Sequence, residues 1–168
     1  MLEIEVRRGT ADDASRIADR IKEMLLEMEN YRGYPLNPSP QVWAALEKEV
    51  RANCSRQDYI YLLAALPHHP AKVIGIAAAY VEPLEDLFIP WKRLHVSAIY
   101  TDPNVRRSGV AARLLHHLID FGQQMGAEEV DLNVLVENPA LHLYEQLGFK
   151  PREISMVRSL RNGSGEPR

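Results

Sequence analysis

The residues best suited to chemistry lie in the stretch 99–112. Its composition predicts a strand that ends near Thr101, then a tight turn, and a helix that begins near Gly109. The first N–H groups of a helix have no partner within the helix, and with the helix dipole they bind phosphates. Arg106 and Arg107 add positive charge to this turn, and the small residues around Gly109 would let a pyrophosphate approach the backbone.

This turn lacks the spacing of the dinucleotide fingerprint and of the Walker loop. The run from Arg106 to Ala111 instead resembles the Arg/Gln-x-x-Gly-x-Gly/Ala loop of the GNAT superfamily of acyl-CoA N-acyltransferases. The run 138–149 looks like the Asn…Ala-x-x-x-Tyr-x-x-x-Gly-Phe signature of the same family, and the start of the chain, 4–13, resembles its opening strand and first helix. The resemblance extends over most of residues 3–160.

The resemblance implies that acetyl-CoA is the co-substrate and that no metal is needed. Backbone groups at the end of the fourth strand would pair with the pantetheine arm, amides of the loop would hold the pyrophosphate, and an asparagine would contact the arm. Tyr144 would lie beside the thioester sulfur as the proton donor. The implied cofactor residues are Ile99, Tyr100, Thr101, Arg106, Arg107, Ser108, Gly109, Val110, Ala111, Ala112 and Asn138.

The base is less clear in the sequence than the proton donor. An alkylamine with a pKa near 10.4 is neutral in only about 1 of 2,500 molecules at pH 7, a shortfall of roughly 4.6 kcal/mol. Many family members carry a Glu in the fourth or fifth strand, where this chain has Ser97 and Asn133. His95 lies two residues before Ser97 and shares its face of the strand. His95 or a water chain is therefore the candidate base, and a strand histidine without a catalytic role is the alternative.

The acceptor pocket is predicted from aromatic residues in two loop regions. Family members bind the acceptor near the loop before the fourth strand and the loop between the first two helices. We therefore expect Tyr31, Tyr34, Phe88 and Trp91 to contribute to this pocket.

Three functions remain open. The first is N-acetyl transfer to a primary amine on a small molecule or peptide. The second is a module that binds acyl-CoA without transfer, which the missing carboxylates at positions 97 and 133 favour and Tyr144 disfavours. The third is transfer of a longer acyl chain. Adjacent histidines at 68–69 and 116–117 point to different sides of their elements and have no evident third ligand, so no metal site is predicted.

The elements needed to position these residues follow from hydrophobic periodicity. Strands are expected at 3–8, 58–66, 72–81, 92–101 and 129–136, with one or two more in 149–160. Helices are expected after Thr10, from Pro40, at 109–125 and at 138–147. This order predicts an α/β sandwich, and the resemblance adds that the mixed central sheet is splayed and has helices on both faces. Gly75 predicts a bulge or a close backbone approach.

Composition limits the remaining possibilities. The chain has 168 residues, of which 46% are hydrophobic and 26% are charged, so we expect one domain at 1–161 and a flexible tail at 162–168. Its 20 basic and 23 acidic residues give a net charge of −3, which argues against a nucleic-acid partner. No apolar run is long enough for a membrane span. A single cysteine and a charged start predict a cytoplasmic protein, and family analogy suggests a possible homodimer.

Overall fold

A computed structural model describes residues 2–32, 36–37, 39–83 and 91–158. The strands and helices follow one another along the chain in the order β1, α1, α2, β2, β3, β4, α3, β5, α4. The strands are β1 (Glu5–Arg8), β2 (Tyr59–Leu66), β3 (His69–Pro83), β4 (Lys92–Thr101) and β5 (Glu129–Leu132). The helices are α1 (Ala14–Arg32), α2 (Pro40–Asn53), α3 (Val110–Gln124) and α4 (Leu141–Gln146). Short 3-10 turns at Ala11–Asp13 and Pro103–Val105 precede α1 and α3.

The five strands form one mixed sheet in the order in which they occur in the chain. Neighbours from β1 to β4 are antiparallel, whereas β5 runs parallel to β4. Pairing between β4 and β5 joins Arg93–Val96 to Glu129–Leu132 and then stops. The rest of β4, residues 97–101, has no β5 partner, so the sheet opens at this point as the predicted splayed architecture requires.

Helices cover both faces of the sheet, as predicted. On the α1–α2 face, Ile17 and Val50 pack against Leu63 and other sheet residues in one buried cluster. On the α3–α4 face, Leu114 and Tyr144 belong to a second cluster with sheet residues that point the other way. The alternation of apolar side chains along each central strand thus supplies both cores.

Gly75 shows both features that its position in the sequence predicts. The pairing of β2 with β3 shifts register beside it, with Ala64 opposite Gly75 and Ala65 opposite Val73. A Cβ on Gly75 would lie 2.8 Å from Val110 Cγ1 and 3.0 Å from the Tyr100 carbonyl oxygen. Only glycine therefore lets the start of α3 approach the sheet at this level.

Four elements differ from the sequence prediction by more than two residues. Strand β5 ends at Leu132 rather than 136, because its pairing stops where β4 opens away from it. Strand β3 begins at His69, so the hairpin turn is shorter than the apolar pattern suggests. Helix α4 is shorter at both ends, since a turn at Asn138 precedes it and Gly148 follows it in a left-handed conformation.

The fourth difference concerns the final strands expected in 149–160. Residues 149–158 form no strand, and 151–158 are exposed. Ile154 and Val157 give this segment β propensity, but strand formation requires a neighbour to pair with, and none of the described strands pairs with it. The remaining two residues and the predicted tail lie outside the described residues.

Candidate active site

The turn before α3 has a specific backbone conformation. Asp102 accepts a hydrogen bond from the backbone N–H of Asn104 at 2.9 Å, and its own N–H donates to the Ile74 carbonyl of the sheet. Arg107 and Gly109 have φ values of 61° and 90°, in the left-handed region. The chain therefore turns sharply between β4 and α3, over the end of the sheet.

This turn leaves a run of backbone donors available. The first backbone hydrogen bond at the start of α3 joins the Arg113 N–H to the Gly109 carbonyl at 3.0 Å. In the described part of the chain, the N–H groups of residues 107–112 donate to no backbone carbonyl. These N–H groups and the positive end of the α3 dipole suit an anion. A Cβ on Gly109 would find no atom within 4 Å, so the space in front of the turn is open.

The predicted cofactor residues of β4 lie beside this turn. Ile99, Tyr100 and Thr101 belong to the part of β4 that β5 does not pair with. The Tyr100 side chain is buried on the α1–α2 face, so the backbone, not the ring, lines the opening. Arg106 donates to the Thr101 carbonyl at 3.2 Å and holds the turn against the strand. The structure thus brings these two predicted groups of residues together.

Tyr144 is buried in the α3–α4 core, where its ring meets the edge of Phe149 at 5.9 Å. Burial raises the pKa of its hydroxyl to about 12. At neutral pH the hydroxyl is therefore protonated and able to donate. Among the described residues, no hydrogen bond engages this hydroxyl.

Asn138 has a local structural role that the sequence does not reveal. Its side-chain Oδ1 accepts a hydrogen bond from the Ala140 N–H at 2.9 Å, and its carbonyl accepts one from Leu141 N. Asn138 therefore shapes the turn before α4. Its side-chain amide nitrogen remains the group that could meet a cofactor arm.

The middle of β4 contains a β-bulge. Ala78 and Ala79 of β3 pair with Ala98 and Val96, so Ser97 is the extra residue. Ser97 is exposed, and its Oγ lies 3.1 Å from the Tyr59 hydroxyl. Ser97, which we align with the position where many family members carry a Glu, thus forms a pair of neutral hydroxyls with Tyr59. Bulges bend a strand and redirect its side chains.

His95 lies on the same face, next to a row of tyrosines. Its ring centroid is 5.3 Å from that of Tyr80, which stacks on Tyr59 at 5.5 Å. Its Nδ1 lies 2.9 Å from Oδ1 of Asp131, the residue opposite it on β5. Sequence reasoning missed Asp131, although the parallel register of β4 and β5 would have placed the two side by side.

Of the four predicted acceptor residues, only Trp91 has a side chain among the described residues, so the predicted pocket stays a prediction. Trp91 directly precedes β4, and 42% of its surface is exposed. The Tyr31 backbone belongs to the last turn of α1, and its side chain is outside the described residues. Tyr34 and Phe88 also lie outside them.

The described residues also bear on metal binding and on membrane spans. Within the described ranges, no cluster of three or more His, Cys, Asp or Glu side chains could hold a metal ion. His68 and His69 contact each other edge to face at 4.8 Å between ring centroids. No helix among the described residues is sufficiently long and apolar to cross a membrane.

Comparison with known proteins identifies the family. The model of the acetyltransferase (GNAT) family matches residues 23–149. The chain belongs to this family. It is 32% identical over 80 residues to human N-acetyltransferase 8, which covers 47% of this chain and 34% of that protein. The chain spans between 8% and 34% of the lengths of the curated relatives that it matches.

Solved structures show the same GNAT fold over nearly the whole chain. A protein from Clostridium acetobutylicum that is described as a predicted acetyltransferase was solved with acetyl-CoA. It superposes with a TM-score of 0.74 at 15% identity, covering 94% of this chain and 97% of that one. The enzyme AAC(6')-Iy, in complex with the bisubstrate analogue CoA-S-monomethyl-acetylneamine, gives a TM-score of 0.68 at 17% identity and covers 95% and 99%. At these identities the likeness concerns the fold alone.

Proposed function

We propose that this GNAT protein transfers an acetyl group from acetyl-CoA to a primary amine. One observation carries the proposal: the N–H groups of residues 107–112, which have no partner among the described residues, lie next to the part of β4 that does not pair with β5. The free strand edge suits an extended amide-bearing arm, and the N–H groups suit the pyrophosphate at its end. The neighbours solved with acetyl-CoA and with a CoA analogue support the same ligand.

The chemistry assigned to the protein is direct transfer. When acetyl-CoA is bound, its thioester supplies the carbonyl carbon that a neutral amine attacks. Backbone N–H groups at the open edge of β4 stabilise the charge that develops on the carbonyl oxygen. Tyr144 donates to the departing sulfur, and its raised pKa keeps the proton in place until that moment. His95 accepts the proton that the amine must lose.

A module that binds acyl-CoA without transfer is the second candidate. It is favoured by Ser97, whose neutral hydroxyl pair with Tyr59 stands where many family members carry a carboxylate. The third candidate, transfer of a longer acyl chain, uses the same loop and the same tyrosine. Both alternatives make the same prediction about CoA binding and differ in the products.

The test has two parts. Acetyl-CoA and CoA should raise the melting temperature of the protein, and NAD should not, because binding to the native state stabilises it by mass action. Thiol release from acetyl-CoA should then depend on a primary amine in a panel of amino acids, polyamines, aminoglycosides and peptides. CoA binding without thiol release would favour the second candidate. The absence of any shift would contradict the proposed ligand.

A further inference from the structure

We propose that Asp131 is a positioning residue, which holds the His95 imidazole with its proton on Nδ1 and presents Nε2 to the acceptor amine. The inference rests on the proposed function, and it extends that function by naming the group that orients the base. It comes from the contact between β4 and β5, where the two side chains lie opposite each other in the parallel register.

The contact fixes the tautomer of a neutral imidazole. His95 Nδ1 lies 2.9 Å from Asp131 Oδ1. An ionised carboxylate can only accept hydrogen bonds, so Nδ1 must be the donor and must carry the proton. The lone pair of the neutral ring is then on Nε2, on the far side of the ring from the carboxylate, and none of the described residues forms a hydrogen bond with that nitrogen.

Asp131 is itself held in place. Its Oδ2 lies 3.3 Å from Arg93 Nη1, while Arg93 also binds Glu82 of β3 at 2.6 Å. Hence Glu82, Arg93, Asp131 and His95 form a chain of contacts across three neighbouring strands. A carboxylate bound through both oxygens has little freedom to rotate away from the imidazole, and this is how supporting groups orient a ligand or a base.

The surroundings of His95 are compatible with a general base beside the β-bulge at Ser97. Its side chain is 16% exposed, so the ring is shielded but remains accessible. Tyr80 packs beside it, and burial raises the pKa of the Tyr80 hydroxyl, so that this neighbour remains neutral. Ser97 follows two residues later on the strand, about 7 Å along it at the usual rise.

The proton and electron balance of the step is complete without another reactant. His95 Nε2 takes one proton from the amine as the nitrogen forms its bond to the acetyl carbon, and the C–S bond breaks with its electron pair on sulfur. The sulfur receives the Tyr144 proton, and the imidazolium, which Asp131 stabilises, returns its proton to solvent as Tyr144 is reprotonated. The ionised Asp131 does not itself change its protonation state.

The first test reads the tautomer directly and does not depend on activity. Long-range proton–nitrogen NMR of the imidazole side chains distinguishes a protonated Nδ1 from a protonated Nε2. His95→Gln assigns the resonance among the six histidines. At a pH where His95 is neutral, the wild type should show the Nδ1–H form, and Asp131→Asn should shift the population towards Nε2–H. A wild-type His95 with its proton on Nε2 would overturn the proposal.

The second test separates positioning from folding. Asp131→Asn should lower kcat by about 100-fold, leave the KM for acetyl-CoA unchanged and keep the CoA-induced rise in melting temperature, while Asp131→Glu restores part of kcat. Glu129→Gln is the matched control, because it removes the same charge from the same strand but from a side chain bonded to Arg152. Its kcat should remain within about twofold of the wild type. Wild-type kcat in Asp131→Asn would overturn the proposal. A wild type that binds CoA but acetylates no amine would instead overturn the proposed function.

Discussion

Arg106 joins the turn before α3 to helix α1 through Glu27, a residue 79 positions earlier in the chain. Its two terminal guanidinium nitrogens donate to the two Glu27 carboxylate oxygens at 2.7 and 2.5 Å. Both side chains are about two-fifths exposed, with 41% and 38% of their surfaces accessible. Such a pair contributes about 0–1 kcal/mol to folding. Its larger expected effect is electrostatic, because Glu27 sets a negative charge beside the turn that we propose binds the pyrophosphate.

Removing that negative charge should strengthen cofactor binding. We expect Glu27→Gln to lower the Kd for CoA a few-fold and to change the free energy of unfolding by less than about 1 kcal/mol. Calorimetric titration at two salt concentrations measures the effect, which should shrink at high salt because salt screens exposed charges. Glu47→Gln, which removes the partner of Arg51 on α2, is the control. Weaker CoA binding by Glu27→Gln would mean that the pair is needed to shape the turn.

Gly109 and Gly126 offer a matched pair of substitutions at the two ends of α3. Their φ values are 90° and 76°, and a Cβ on either residue would have no atom within 4 Å. Alanine at either position should therefore cost about 1–2 kcal/mol of stability through backbone strain alone. Gly109→Ala should in addition weaken CoA binding tenfold or more, because Gly109 is the N-cap of α3 and strain there displaces the N–H groups of the turn. Equal CoA affinity in the two variants would exclude the turn as the pyrophosphate site.

Asp13 links stability to pH. Its carboxylate accepts two hydrogen bonds of 2.7 Å from Arg7 and also bonds to Thr10, and the Arg7 contact is the main reason that its pKa lies well below the usual range. A carboxyl group whose pKa is depressed by folding stabilises the protein above its unfolded pKa of about 3.9, and this contribution is lost as the pH falls towards the folded value.

Asp13→Asn should therefore destabilise the protein by about 2 kcal/mol at pH 7. The difference between the two proteins should narrow steadily as the pH falls below about 4. Urea unfolding of both proteins at pH 7, 5 and 3 provides the measurement. A difference that stays constant with pH would show that the effect is one of packing rather than charge.

Much of the fold could be predicted because the local hydrophobic periodicity and the cap residues favour the same elements that packing of the two cores requires. The bounds of β4 match the prediction, since apolar residues alternate along the strand. The bulge at Ser97 places Leu94 and Val96 in one core and Ala98 and Tyr100 in the other. Pro40 begins α2 as expected because its fixed φ suits the first helical turn. The final strands predicted in 149–160 are absent from the described residues 149–158. A segment with β propensity forms a strand only where a neighbouring strand pairs with it, and the local sequence does not specify that neighbour.

In the candidate site, too, features that depend on local sequence could be predicted, whereas features that depend on tertiary structure could not. The turn at Gly109 could be predicted because its proposed function depends on the backbone, and small residues at fixed spacing indicate the backbone conformation. The Asp131 contact with His95 could not, because it depends on the register between two strands separated by α3. The role of Asn138 in its own turn could not be predicted either, because an asparagine side chain suits both a contact with a ligand and a turn.

Replacement of Tyr144 is the sharpest test of the proposed acetyl transfer. Acetyl-CoA and the best amine of the panel are incubated with the wild type and with Tyr144→Phe, and both thiol release and the acetylated amine are quantified. Tyr61→Phe, which removes a buried hydroxyl on the other face of the sheet, is the control. We expect equal amounts of thiol and product from the wild type, a kcat about 100-fold lower in Tyr144→Phe, equivalent to about 2.7 kcal/mol, and unchanged CoA affinity. Full activity in Tyr144→Phe, or CoA binding by the wild type with no acetylated product, would show that the proposed transfer is wrong.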